Sequence, residues 1–335
     1  MKVAYILYPE VIISNKSNGI RSQAETWAKI LEEKGVQVDL VNNWENYDWS
    51  HYDAIHFFGN IPPIVPKRLS YINQKLYYSP IYDPSINDNP VLRYLKVLLG
   101  KKTNGILKTS EYIDDIPYKY FHKIFVRSQF ELNYLACRHG ISKSKFALVP
   151  LSFTPNYANY SFDMDLKEDF CLHISSIFQS RKNVLRLIQA AKTYNFKLIL
   201  AGNKGTEAQF APIKEAIGDS KNIQVLGFIT EEEKISLYQR ARVFALPSLT
   251  EGVGIVAVDA ALLGCEIVIT NIPGPKEYYD GNCIEVDPCS VSQIGKAIDT
   301  LLKGERKFQP NLSNNIKNKY APNIIVDFLI EAYKN

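Results

Sequence analysis

FALPSLTEGVGIVAVDAALLGCEIVIT, residues 244–270, holds two apolar runs separated by a polar turn, a glycine-flanked acid and a stretch of small residues. The spacing predicts a buried strand over 243–246 stopped at Pro247, a loop through Ser248–Gly252, a helix over 253–264 and a second buried strand over 266–270. Strand, loop, helix and strand in that order make a parallel unit whose loop lies on the ligand side of its sheet. Gly252 and Gly254 allow a ligand close to the backbone, and the first helical turn beside Val253 offers unpaired N–H groups at a positive dipole end. Glu251 stands at the mouth, with Asp259 roughly 12 Å further along at about 1.5 Å per residue. Two acids so placed fit an extended polyhydroxyl ligand. A helix-capping acid followed by a solvated aspartate is the plainer alternative.

Working outward, short apolar runs alternate with longer helical patterns along the whole chain, which predicts parallel sheets with crossover helices. Strands are expected at 2–8, 36–41, 53–58, 75–79, 123–128 and 146–151, then at 170–176, 196–201, 223–226, 243–246 and 266–270. Gly19 opens and Gly35 closes a first helix with Ile20, Trp27, Ile30 and Leu31 on its apolar side. Residues 153–168 break the rhythm with Pro, Asn, Ser and acids and read as a linker. The fold class is therefore α/β, with two doubly wound domains at 1–152 and 169–318 and ligands expected where strand ends face a cleft. A last amphipathic helix, with Pro322 near its first turn, lies in 319–335.

Composition limits the function classes. A 335-residue chain with 46% hydrophobic residues can bury cores for about two domains. A net charge of +4 lacks the strong basic stripe of a nucleic-acid binder, so no nucleic-acid partner is expected, although the basic excess falls in residues 1–150. Five cysteines without a C-x-x-C pair argue against a disulfide framework or zinc site and for a reducing cytoplasm. Pro9 and Glu10 interrupt the first apolar run, which reads as a strand rather than a signal peptide. There is no uncharged apolar run long enough to span a bilayer.

A second constellation, SSIFQSRKNVLRLIQAA, ends a predicted strand in polar residues and sets Arg181 and Lys182 at the head of a helix. Arg can clamp a diphosphate bidentately and Lys meets it as a point charge; alone, the pair also fits an ordinary solvated surface. Taken together and in order, Arg181-Lys182-Asn183, VLGFITEEEKISLYQRA at 225–241, PSLTEGVGIVAVDAALLG at 247–264 and VITNIPGPKE with Gly274 and Glu277 resemble the donor-binding domain of family-4 retaining glycosyltransferases of the GT-B fold. The likeness of the first half is looser, resting on its opening strand, the Gly19 loop and topology.

That resemblance implies two Rossmann-like domains facing across a cleft, with the C-terminal helix packing back on the first. It implies transfer of a hexose from a nucleotide-diphosphate sugar to a glycan or lipid-linked glycan, with retention, without metal or cofactor, in cell-surface polysaccharide synthesis. Arg181 and Lys182 would neutralise the departing diphosphate and Glu251 would act beside the reacting sugar. Gly19, Gly252, Val253 and Gly254 would lie against the donor, Asp259 would hold the ribose and Phe228 would lie near the base. The sequence departs from the family at Asp259, which stands for Glu, at Ile177, which stands for a frequent Arg, and in SPIYDPS, where Tyr82 and Asp83 replace a frequent His-Asp pair.

Other features are weaker. Asp163-Met164-Asp165 spells D-x-D, but in the linker and off any strand end; LILAGNKG lacks a full dinucleotide fingerprint. Residues 90–108 carry Arg93, Lys96, Lys101, Lys102 and Lys108 among Leu, Val and Tyr without an acid. This suits either a solvated helix or peripheral contact with anionic lipid at the inner membrane face. A sugar-nucleotide epimerase or hydrolase, or a non-catalytic sugar-nucleotide-binding protein, remains the rival reading.

Overall fold

The structure, a computed structural model, describes residues 1–7, 19–42, 44–59, 61–81, 90–103, 106–107, 109, 111–112 and 117–334. The chain divides into two compact units, Met1–Leu151 with Pro322–Asn335, and Ser152–Ala321.

The first unit is built on a six-stranded parallel sheet. Its elements run β1 (Lys2–Leu7), α1 (Gly19–Glu33), β2 (Gln37–Leu40), β3 (Ala54–Phe58), α2 (Ile64–Leu69), β4 (Leu76–Ser79), α3 (Pro90–Lys102), β5 (Lys123–Val126), α4 (Gln129–His139) and β6 (Phe146–Leu148). Strand order is β2-β1-β3-β4-β5-β6. Trp27, Ile30 and Leu31 of α1 are buried as their spacing requires, and Gly35 ends the helix at φ +79°. Ile55, Phe57, Leu76, Tyr78, Ile124 and Val126 form the centre of one face's core.

The second unit has its own six-stranded parallel sheet. It comprises β7 (Glu168–Ile174), α5 (Val184–Tyr194), β8 (Lys197–Ala201), α6 (Glu207–Ile217), β9 (Ile223–Gly227), α7 (Glu231–Arg240), β10 (Ala241–Leu246), α8 (Ile255–Leu262), β11 (Glu266–Thr270), α9 (Pro273–Lys276), β12 (Ile284–Val286), α10 (Val291–Leu302) and α11 (Asn311–Tyr320). The order β12-β11-β10-β7-β8-β9 shows the chain winding outward from β7, then returning to β10 and winding the other way. β7 and β10 are thus hydrogen-bonded neighbours, and the order reverses between them. α5 and α10 cover one face, packing Leu187, Ile188, Ile294 and Ile298 on Cys171, Leu198, Val243 and Val268.

Three features depart from the sequence reading. Residues 153–168 are built into the second unit, with short 3-10 turns at Pro155–Asn159 and Met164–Leu166. The tail holds two helices, because Ala321 takes an extended conformation before Pro322 and ends α11. The second, α12 (Pro322–Lys334), belongs to the first unit, where Tyr333 Oη lies 2.6 Å from His56 Nδ1. Strand β12 has three residues, too short to show periodicity.

Candidate functional site

Open parallel sheets bind ligands beyond the strand carboxyl ends, where strand order reverses. In the second unit this places the site at the loops after β7 and β10, which carry Lys182 and Glu251 respectively. The two buried side chains meet there, Lys182 Nζ lying 2.5 Å from Glu251 Oε2. Ser248 Oγ donates to the same carboxylate oxygen at 3.1 Å. A buried ion pair persists only when its geometry repays desolvation. An ammonium has three N–H donors, so pairing with Glu251 leaves Lys182 the capacity to meet an incoming anion.

The backbone joins the two loops as well. The Leu249 N–H donates to the Arg181 carbonyl at 2.7 Å. His173, in β7, reaches the carbonyl of Ala245 in β10 at 2.8 Å through Nδ1. A carbonyl only accepts, so Nδ1 carries the proton and Nε2 accepts from Ser175 Oγ at 2.7 Å. Burial pushes the imidazole down to about 4, which keeps it neutral and this tautomer intact near neutral pH.

Sequence reasoning put Arg181 and Lys182 at a helix head, but they lie in a 3-10 turn, Ser180–Lys182, and α5 starts only at Val184 after left-handed Asn183. Arg181 Nε donates to Gln179 Oε1 at 2.9 Å. Ile177, at the position of the family's frequent Arg, is buried in the core. Gly252 and Val253 are buried, and Gly254 caps α8 at φ +72°. A Cβ on Gly254 would lie 2.7 Å from Leu246 Cδ2, so a side chain here would displace that leucine as well as strain the left-handed backbone. Phe228 is 70% exposed in the loop after β9.

Asp259 has a partner that its sequence position did not indicate. It is 1% exposed, and its two carboxylate oxygens accept from the Thr154 N–H and Thr154 Oγ1, each at 2.8 Å. This arrangement makes Asp259 an anchor for residues 153–157. Tyr157 adds to that anchor through Glu231, and Lys234 lies over the Tyr157 ring. Thr154 gave no sequence signal because it is 105 residues from Asp259. Ser248 and Asn183 lay inside the quoted motifs but carried no assigned role.

Gly19, the exposed first residue of α1, lies in the first unit, and the preceding residues 8–18, like Tyr82 and Asp83, lie outside the described residues. Asp163 caps its own turn by accepting from the Asp165 N–H at 2.9 Å, a local role for the D-x-D spelling. Among the described residues, no group of three or more His, Cys, Asp or Glu is arranged to hold a metal.

Two doubly wound parallel sheets, the second with this site at its switch point, define a GT-B protein. Residues 162–319 match the family described as Glycosyl transferases group 1. It is 27% identical over 164 residues to an uncharacterised glycosyltransferase of Methanocaldococcus jannaschii, covering 46% of this chain and 42% of that one. It spans less than half the length of this and the next curated relatives it matches. The O-antigen biosynthesis glycosyltransferase WclY of Escherichia coli is 27% identical over 327 residues, 86% of this chain and 85% of its own. Anabaena HepE, solved in complex with UDP and glucose, superposes with a TM-score of 0.73 at 16% identity, covering 100% of this chain and 99% of that one.

Proposed function

We propose that this protein transfers a hexose from a nucleotide-diphosphate sugar to a glycan or lipid-linked glycan, with retention at the anomeric carbon and without a metal cofactor. The supporting observation is the meeting of Lys182 and Glu251 at the switch point of the second sheet. Lys182, with Arg181, supplies preorganised positive charge where the leaving diphosphate gains negative charge. Glu251 and the Gly252–Gly254 backbone hold the donor sugar, and exposed Phe228 offers a face to the base. WclY, named for O-antigen synthesis, supports a cell-surface polysaccharide acceptor, and the UDP bound to HepE supports a nucleotide donor. Work on such an acceptor would place the protein at the cytoplasmic face of a membrane. Among the described residues no helix is long and apolar enough to cross one.

The test is nucleotide release from a panel of sugar nucleotides with and without glycan acceptors. Acceptor-dependent release that persists in EDTA supports metal-independent transfer. Lys182→Ala should lower kcat about 100-fold or more, the scale for removing one transition-state donor. Isomerised donor would indicate an epimerase, and donor binding without turnover a sensor. Loss of activity in EDTA, restored by Mn²⁺ or Mg²⁺, would refute the metal-independent step.

A further inference from the structure

We infer that Asn183, which touches neither the proposed substrate nor the reacting atoms, is the positioning residue that sets Lys182 against Glu251; the inference rests on the donor site proposed above. Asn183 is buried and left-handed, with φ 61° and ψ 30°. Its amide oxygen accepts from Arg186 Nη1 at 2.9 Å, which fixes the orientation of the amide. The Nδ2 group then faces two carbonyls, Pro247 at 2.8 Å and Pro288 at 2.6 Å. Each N–H of the amide thus ties a different loop. Pro247 opens the loop that carries Glu251, and Pro288 lies in the loop between β12 and α10.

The consequence for the site follows from chain connectivity. Lys182 is the residue before Asn183, so fixing Asn183 to Pro247 fixes the origin of the lysine side chain relative to the Glu251 loop. The Arg181 carbonyl and Leu249 N–H make the second tie between the same loops. Without the amide tie, the lysine ammonium keeps its charge but samples a wider volume, and preorganised charge acts only where it is held.

Two properties of Asn183 are separable by substitution. Glycine tolerates the left-handed conformation but has no amide. Aspartate also tolerates it and matches the size, yet turns an acceptor toward two carbonyls. The experiment is a double-mutant cycle on acceptor-dependent nucleotide release, run well below the unfolding temperature of each variant. Asn183→Gly should lower kcat/KM about 10-fold or more when Lys182 is present and less than about 2-fold in the Lys182→Ala background, because a residue acting through a lysine has little left to act on. Asn183→Asp should be worse than Asn183→Gly. A role confined to folding predicts equal losses in both backgrounds, and that result, or an Asp variant as active as wild type, overturns the inference alone. If the wild type releases nucleotide from no sugar nucleotide, the same cycle is read in UDP affinity, with the same non-additivity expected. A wild type that also binds no UDP overturns the donor-site reading and this inference with it.

Discussion

Asp259 is one methylene shorter than glutamate, and both of its carboxylate oxygens accept from Thr154, one from the backbone N–H and one from Oγ1. Burial pushes its pKa up from 3.8 to about 6, opposed by Lys234 and the Thr154 bonds and reinforced by Glu231. Between those two values the folded state holds a proton that the unfolded state has released, so this group's contribution to stability falls as pH rises from about 4 to about 6. A rise of that size corresponds to about 3 kcal/mol of preference for the protonated form. Asp259→Asn removes this titration, so urea unfolding of the second unit should show the stability difference, wild type minus variant, dropping by about 2–3 kcal/mol between pH 4 and pH 7. UDP affinity should stay unchanged, since the carboxylate is engaged with Thr154. A tenfold loss of UDP affinity would instead return Asp259 to the ribose. The sequence showed the acid and its spacing, but nothing local to residue 259 could reveal a partner 105 positions away.

At the scale of elements, legibility followed periodicity and length. The eleven strands read from apolar runs are present with ends moved by a residue or two in most cases, because the central strands of each parallel sheet are buried and their composition has one cause. The loop after β10 was legible for the same reason, since Pro247 stops the strand and Gly254 needs a left-handed turn. Residues 153–168 misled because Pro and Asn mark irregular backbone without saying what that backbone binds. The amphipathic pattern of the tail marked a helix without naming the surface it covers, which only the family resemblance indicated. In the first unit, Tyr333 of α12 joins His56 of β3, whose Nε2 lies 2.8 Å from Ser79 Oγ of β4. Burial holds His56 well below its ordinary pKa, so it stays neutral and needs one donor and one acceptor. Tyr333→Phe leaves Nδ1 buried without that partner and should destabilise the first unit by about 1–3 kcal/mol. The second unit's unfolding, followed by its UDP-dependent transition, should not move. Equal loss in both units, or none, would contradict this anchoring.

For the whole molecule, part of the basic excess read from residues 1–150 falls in helix α3 of the first unit. Helix α3 turns its buried side inward with Val97 and Gly100, and its half-buried cations are partly committed there. Arg93 donates to the Arg138 carbonyl at 2.5 Å and Lys96 pairs with Glu111 at 2.6 Å. The outward side is apolar instead, with Val91 68% and Tyr94 66% exposed beside exposed Leu92, Leu95 and Leu99. Lys101 and Lys102 are exposed at its end, while Lys108 lies outside the described residues. A contiguous exposed apolar face on a protein of otherwise ordinary composition marks a contact surface, and flanking lysines fit anionic lipid. If α3 rests on a membrane, the protein should sediment with phosphatidylglycerol-containing vesicles. Each lysine near such a surface contributes about 1 kcal/mol, so Lys101→Gln with Lys102→Gln should lower partitioning roughly 30-fold. Added salt should act in the same direction by screening. Leu95→Asp should weaken binding even at high salt, because it removes apolar burial rather than charge. Binding lost with the lysines but indifferent to Leu95 would mean adsorption by charge alone. No sedimentation of the wild type would leave α3 as a solvated helix and the acceptor as a soluble glycan.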